Sequence, residues 1–282
     1  MIRNIKIKGI WWIFLAAVFW SAQGVLGKTN TWNPISLTAI RAIFASVVIG
    51  TCRKSFLPAK GKENWIAAIF VSLTGLLFLS ANNLTTAANA IVIQYIMPVF
   101  VALISFVIFR NKISVSDMVC CVCMLLGVSL CFMNGLSGGR LLGNILALLS
   151  ALTYAIMYLS ARVKGCDVLS YTYQGSLLSI LLIFYVFIDK TFVFDFANVV
   201  SAAMMGLLVG LGYVCFSKGF KENVSPVKAA VISYIEPVLN PIWVLIFIGE
   251  KITPLALVGI VIVLVTAIIY SIKNSLSKKE EN

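Results

Sequence analysis

Histidine is missing from all 282 residues, and Asp plus Glu number only 10. The first absence removes the commonest metal ligand and the usual acid–base side chain. The second leaves few carboxylates for hydrolytic chemistry. Charged residues make up 11% of the chain, whereas a water-facing surface needs roughly 25–35%. There is no GxxxxGK[ST] phosphate loop, no GxGxxG turn, no HExxH pair and no zinc-type ligand set. Nucleotide hydrolysis, nicotinamide redox and metalloenzyme chemistry therefore lack their usual residues. No cofactor and no metal is expected.

What fills the chain instead is apolar: 61% of residues, with a mean hydropathy of +1.01. That composition reads as a polytopic membrane protein embedded in a lipid bilayer. The net charge of +12 would suggest nucleic acid in a soluble chain. Here the basic residues sit in short gaps between apolar runs, so they read as orientation signals and no nucleic-acid partner is expected. The seven cysteines lie mostly inside those runs. Cys120 and Cys123 have CxxC spacing without redox or metal context, and read as buried, reduced thiols.

Ten apolar segments cover roughly 10–28, 34–52, 65–82, 87–109, 116–134, 142–162, 168–188, 197–217, 226–248 and 254–272. Each is about as long as a helix needs to cross hydrocarbon. Trp11, Trp12 and Trp20 make the first a retained helix, not a cleaved signal. The polar tail, 273–282, is expected to be cytoplasmic and disordered. Of the 22 Lys and Arg, seventeen lie at the amino terminus, in the even-numbered gaps and in the tail. Four lie in the odd-numbered gaps, and Arg41 lies inside the second segment. This asymmetry puts both termini in the cytoplasm, as an even number of spans requires.

The segment AVISYIEPVLNPIWVLIFIGEKIT (230–253) has an earlier partner, IVIQYIMPVFVALISFVIFRNKIS (91–114), at an offset of 139 without gaps. Tyr95, Pro98 and Lys112 match Tyr234, Pro237 and Lys251. GIWWIFLAAVFW (from Gly9) and GNILALLSALTY (from Gly143) correspond more loosely, and Arg41 falls opposite Gln174. The chain thus divides into repeats of five spans, 9–134 and 143–272. Because five is odd, the second repeat enters the membrane inverted. That is the plan of secondary transporters whose site lies near the midplane.

The Pro-centred helix, the Gly-Glu-Lys-Ile-Thr stretch at 249–253 and the five-plus-five spans resemble the EamA-like branch of the drug/metabolite transporter superfamily. Arg110-Asn111 departs from that pattern, whereas Gly249-Glu250 keeps it. The resemblance implies an all-α membrane protein, ten transmembrane helices around a central cavity. It also implies export or exchange of small metabolites such as amino acids or amphipathic compounds.

The ninth segment carries the sharpest chemistry. Pro237 frees the carbonyl of Ser233, Pro241 that of Pro237 and Pro98 that of Gln94, because proline has no N–H. Such carbonyls need partners inside a membrane. Ser233, Glu236, Asn240 and Trp243 share a helical face. An ionised Glu at mid-depth costs about 3 kcal/mol or more unless paired or hydrated. Two readings of Glu236 stand: a cation- or proton-binding residue, or a structural partner of Arg41, Lys28 or Lys218. Arg41 reads first as structural, holding loop carbonyls or a carboxylate near the inner or outer end of its helix, with a substrate role as the alternative. Trp20, Gln23, Gln94, Tyr95, Tyr154, Tyr158, Tyr213 and Tyr234, with Glu236 and Asn240, form the candidate substrate-binding set. Rings of this kind suit cationic or amphipathic solutes. Trp11, Trp12, Trp32 and Trp65 read as interfacial anchors, and Gly206 and Gly210 as a close helix contact. Asn82 and Asn83 read as a gate or as caps of the turn that follows.

The function expected is secondary transport of a small organic metabolite (amino acid, amine or amphipathic compound) across the cytoplasmic membrane, outward and by alternating access. The protein would work as a monomer or weak dimer. The competing readings are an uncoupled uniporter or channel, and an integral membrane enzyme, for which no acid, base or metal cluster is visible.

Overall fold

A bilayer offers no water to backbone N–H and C=O groups, so apolar runs of this length fold as helices that satisfy those groups internally. A computed structural model of the protein describes residues 9–110, 114–133, 136, 140–249 and 253–280, and among them there are helices and no strand. In chain order they are α1 (Gly9–Ser21), α2 (Gln23–Thr29), α3 (Pro34–Arg53), α4 (Lys62–Leu84), α5 (Ala87–Gln94), α6 (Met97–Phe109), α7 (Val115–Phe132), α8 (Leu141–Ser160) and α9 (Val168–Ile180). A 3-10 stretch, Leu181–Phe187, extends α9. Then come α10 (Phe196–Lys221), α11 (Pro226–Ile232), α12 (Ile235–Ile248) and α13 (Pro254–Glu280). Among the described residues nine stretches are long and apolar enough to cross a membrane, from Gly9–Gly27 to Pro226–Phe247, and a shorter apolar helix, Pro254–Tyr270, follows.

Three of the apolar runs are broken in the middle. The first parts at Ala22, the fourth at Tyr95-Ile96 and the ninth at Ser233-Tyr234. At the fourth and ninth the break precedes proline: the new helix starts with Pro98 in its first turn in one case and Pro237 in the other. The carbonyl of Ser233 is not left free there. It accepts from the Glu236 N–H at 3.0 Å, a tighter turn replacing the bond that Pro237 cannot make. At the other end of the chain α13 continues to Glu280, where disorder was expected from residue 273. Nothing between Pro254 and Glu280 other than Gly259 opposes a helix.

Small residues face inward and large ones outward. On α4, Ala67, Ala68 and Val71 are buried, while Ile66, Ile69 and Leu73 are exposed. Lipid is as apolar as leucine, so close van der Waals packing holds such helices together and small side chains permit it. Gly206 of α10 lies against the Arg41 carbonyl and Phe44 of α3. A Cβ at Gly210 would come within 2.8 Å of Val48 Cβ. These two glycines are a close helix contact. Hydroxyls inside the bundle turn back to their own helix, as Thr74 Oγ1 does to the Phe70 carbonyl at 2.7 Å and Ser176 Oγ to the Thr172 carbonyl at 3.0 Å.

The packing has a paired pattern. α1 lies against α10 and α4 against α8. α3 lies against α10 and α4 against α9. α12 lies against α1, and α5 and α6 against α8; α7 packs on α13, and α3 on α9. The connections α3–α4 and α8–α9 are knitted by Asn64, whose Nδ2 donates to the Gly165 carbonyl at 3.2 Å and whose Oδ1 accepts from the Asp167 N–H at 2.9 Å. The α2–α3 connection is tied to the start of α10. Asn30 Nδ2 donates to the Asn198 carbonyl at 2.9 Å, and the Trp32 indole to the Val193 carbonyl at 2.8 Å.

Candidate solute-binding cavity

The helices enclose a cavity of about 640 Å³, within the size range of small-molecule sites. One end is lined by Asn30 and Trp32 (between α2 and α3), Pro34 (start of α3), Asn82 and Asn83 (end of α4), Ala87 (start of α5), Phe132 (end of α7) and Thr253 (just before α13). All of these lie in or beside the odd-numbered connections. No residue from the connections α3–α4, α6–α7, α8–α9 or α10–α11 lines it among the described residues. Among the described residues, the cavity therefore opens toward the odd-numbered connections.

Its floor is aromatic. Trp20, Tyr154 and Tyr213 line it, with the Trp20 ring 6.3 Å from Tyr154 and 5.5 Å from Tyr213, both edge-to-face. Below them Tyr158 meets Tyr154 at 5.1 Å and Phe216 at 4.6 Å, and Phe216 meets Phe220 at 4.7 Å. Edge-to-face pairs add about 0.5–1.5 kcal/mol each beyond burial. The chain of rings closes the path toward the opposite face. There Lys218 Nζ sits 4.3 Å over the Trp12 ring.

Glu236 enters the cavity from the first turn of α12, beside the ring hydroxyls of Tyr95 and Tyr154. Glu236 Oε2 and Tyr95 Oη are both buried without a hydrogen-bond partner among the described residues. Glu236 forms no ion pair with Arg41 or Lys218; the side chain of Lys28 lies outside the described residues. Asn240, one turn on, packs against Gly24 and donates from Nδ2 to the Ser21 carbonyl at 3.4 Å. Trp243 donates to Ser21 Oγ at 2.7 Å and does not line the cavity. Gln94 donates to Ser150 Oγ at 2.7 Å, which donates in turn to the Thr74 carbonyl at 3.1 Å.

Of the ten residues singled out in the sequence, Trp20, Gln23, Gln94, Tyr95, Tyr154, Tyr213, Glu236 and Asn240 come together on this wall. Tyr158 and Tyr234 do not. Both are 0% exposed. Tyr158 shares a 2.6 Å hydrogen bond with Ser233 Oγ, and Tyr234 donates to the Tyr95 carbonyl at 2.9 Å.

Two contributors lie outside the candidate substrate-binding set read from the sequence. One is α4, which supplies Thr74, Gly75, Phe78 and Asn82. Thr74, Phe78 and Asn82 recur every four residues, and that spacing in an otherwise apolar segment is the signal that could have found them. The other is Arg41. Among the described residues it holds neither a loop carbonyl nor a carboxylate. It stands roughly 10 Å into α3, lines the cavity, and donates to Gln23 Oε1 at 3.5 Å. The cysteines are free, with Cys120, Cys121 and Cys215 buried.

A multi-pass helical membrane protein with a one-sided cavity of metabolite size, aromatic below and polar along the wall, belongs to the class of membrane transporters of small solutes. Comparison with known proteins agrees and narrows the class: the chain belongs to the EamA-like transporter family, whose model matches residues 7–133 and again 141–272. It is similar to a Clostridium kluyveri protein named "uncharacterized transporter", 24% identical over 314 residues, which cover 98% of this chain and 95% of that one. A protein of known crystal structure shares the fold with a TM-score of 0.77 at 18% identity, over 92% of this chain and 96% of that chain.

Proposed function

We propose that the protein is a secondary transporter that moves a small organic metabolite out across the cytoplasmic membrane by alternating access. The observation that carries this is the one-sided cavity, open between the odd-numbered connections and sealed beneath Trp20 by stacked rings. The Lys and Arg distribution assigns the odd-numbered connections to the outside and both termini to the cytoplasm. The conformation described is then outward-facing, and the rings from Tyr158 to Phe220 are the inner gate.

Ten spans in two inverted repeats, 9–134 and 143–272, with α13 as the tenth, make this motion possible. The paired packing supports that plan. Exchanging the two halves maps the α1–α10 contact onto α8–α4, the α3–α10 contact onto α9–α4, and the α12–α1 contact onto α6–α8. The breaks before Pro98 and Pro237 are where each half would bend. The charge pattern fits a bacterial inner membrane, and nothing in the cavity requires a second copy of the chain.

Glu236, buried beside Tyr95 without a cationic partner among the described residues, is the residue placed to carry the coupling proton. The test is counterflow in proteoliposomes across a pH series. Trans-stimulation of a preloaded solute is expected, whereas a channel shows none. Glu236→Gln should retain solute binding and lose the pH dependence of accumulation. A variant indistinguishable from the native protein at every pH would end the coupling role, and absence of trans-stimulation would end alternating access.

A further inference from the structure

We propose that Arg41, held in position by Gln23, forms an anion subsite in the cavity, and that the transported solute carries a carboxylate which docks there. The inference rests on the transporter reading above and narrows its substrate class to carboxylate-bearing solutes.

Arg41 lines the cavity within the membrane-spanning part of α3. A guanidinium has five N–H donors, yet among the described residues its one hydrogen-bond partner is Gln23 Oε1, at the long distance of 3.5 Å. No carboxylate of the described residues lies within ion-pair distance of it. A cation at such depth without a counterion costs about 3 kcal/mol or more. A purely structural arginine would be saturated by carbonyls or a carboxylate, and this one is not.

The surroundings hold the guanidinium in place without neutralising it. Gln23 is anchored from behind, its Nε2 donating to the Met205 carbonyl at 3.1 Å, so its carbonyl is turned toward Arg41. On the α4 side Gly75 leaves room: a Cβ there would lie 2.7 Å from Arg41 Nη2. The planar fork suits a carboxylate, which accepts two parallel N–H bonds. One described cation on the wall matches a monoanion better than a phosphate ester. Glu236, in the same cavity and not ion-paired with Arg41 or any other described cation, adds a site of opposite sign that opposes a dianion and accepts an ammonium.

The experiment uses proteoliposomes holding the full chain and an equimolar mixture of three sets of probes. These are the neutral L-amino acids, the primary amines lacking their carboxyl group, and the carboxylic acids lacking their amino group. Movement of each probe is followed by mass spectrometry for the native protein, Arg41→Gln and Gly75→Ala. The native protein is expected to move carboxylate-bearing probes at least tenfold faster than the matched amines. Arg41→Gln should erase that preference. Gly75→Ala, which crowds the guanidinium without removing charge, should reduce it while sparing whatever amine movement exists. Its result stands even if Arg41→Gln fails to fold. Amines moving as fast as the acids in the native protein, or an unchanged preference in a folded Arg41→Gln protein, would overturn the subsite while leaving transport intact. Native liposomes that move none of the three sets would instead overturn the transport reading, and the subsite with it.

Discussion

The helix pair α5–α6 and the pair α11–α12 have nearly the same backbone and different work. Thr86 caps α5 and Ser225 caps α11, 139 positions apart. Each pair breaks at its tyrosine, and each ends in a left-handed residue, Arg110 at φ 51° and Gly249 at φ 81°. The tyrosines then diverge. Tyr234 is a strut whose hydroxyl donates to the Tyr95 carbonyl and approaches the Cys121 carbonyl at 3.4 Å. Tyr95 lines the cavity with its hydroxyl unpartnered. At the next matched position Met97 is fully buried, and its counterpart Glu236 enters the cavity. A duplicated frame can thus be kept for packing in one half while the other half acquires the polar chemistry.

The contrast can be broken most severely at Glu236. Glu236→Met gives both halves the same residue. Solute movement in proteoliposomes should fall more than for any other variant named below, because an ionisable residue inside the membrane carries function, while the unfolding temperature stays the same or rises because a buried carboxylate without a cationic partner among the described residues has gone. A stability loss without a transport loss would show that Glu236 is structural. Tyr234→Phe should come next. Removing a buried donor strands the Tyr95 carbonyl, at about 1–3 kcal/mol, seen as a lower unfolding temperature in detergent. Smaller still is the pair of left-handed ends. A non-glycine residue there costs on the order of 1 kcal/mol, so Arg110→Gly should stabilise by about that amount and Gly249→Ala should destabilise by about the same. The smallest stability change belongs to Tyr95→Phe, within about 0.5 kcal/mol, since that hydroxyl has no partner to lose. Its effect should be on apparent affinity for solute. If Tyr95→Phe destabilises as much as Tyr234→Phe does, the two tyrosines are not specialised as the hydrogen bonds indicate.

Membrane embedding, helical character and the correspondence of the fourth and ninth segments were all legible in the order of residues. Hydropathy over about 20 positions and matched Tyr, Pro and Lys are one-dimensional signals. Much of the cavity wall was legible too, because Glu236, Asn240 and the aromatic residues are conspicuous in apolar surroundings. Less visible were the roles of Arg41 and of α4. Arg41 reads as a structural cation until Gln23, Gly75 and Tyr213, from three other helices, are seen around it. α4 reads as plain hydrocarbon until its rotation turns Thr74, Phe78 and Asn82 inward. Composition by itself determined that this chain lives in lipid as helices, since apolar area and backbone satisfaction are summed along the chain. Only the packing of distant helices decided which of two equivalent tyrosines meets the solute space, because the rotation of a helix about its axis is set by its neighbours.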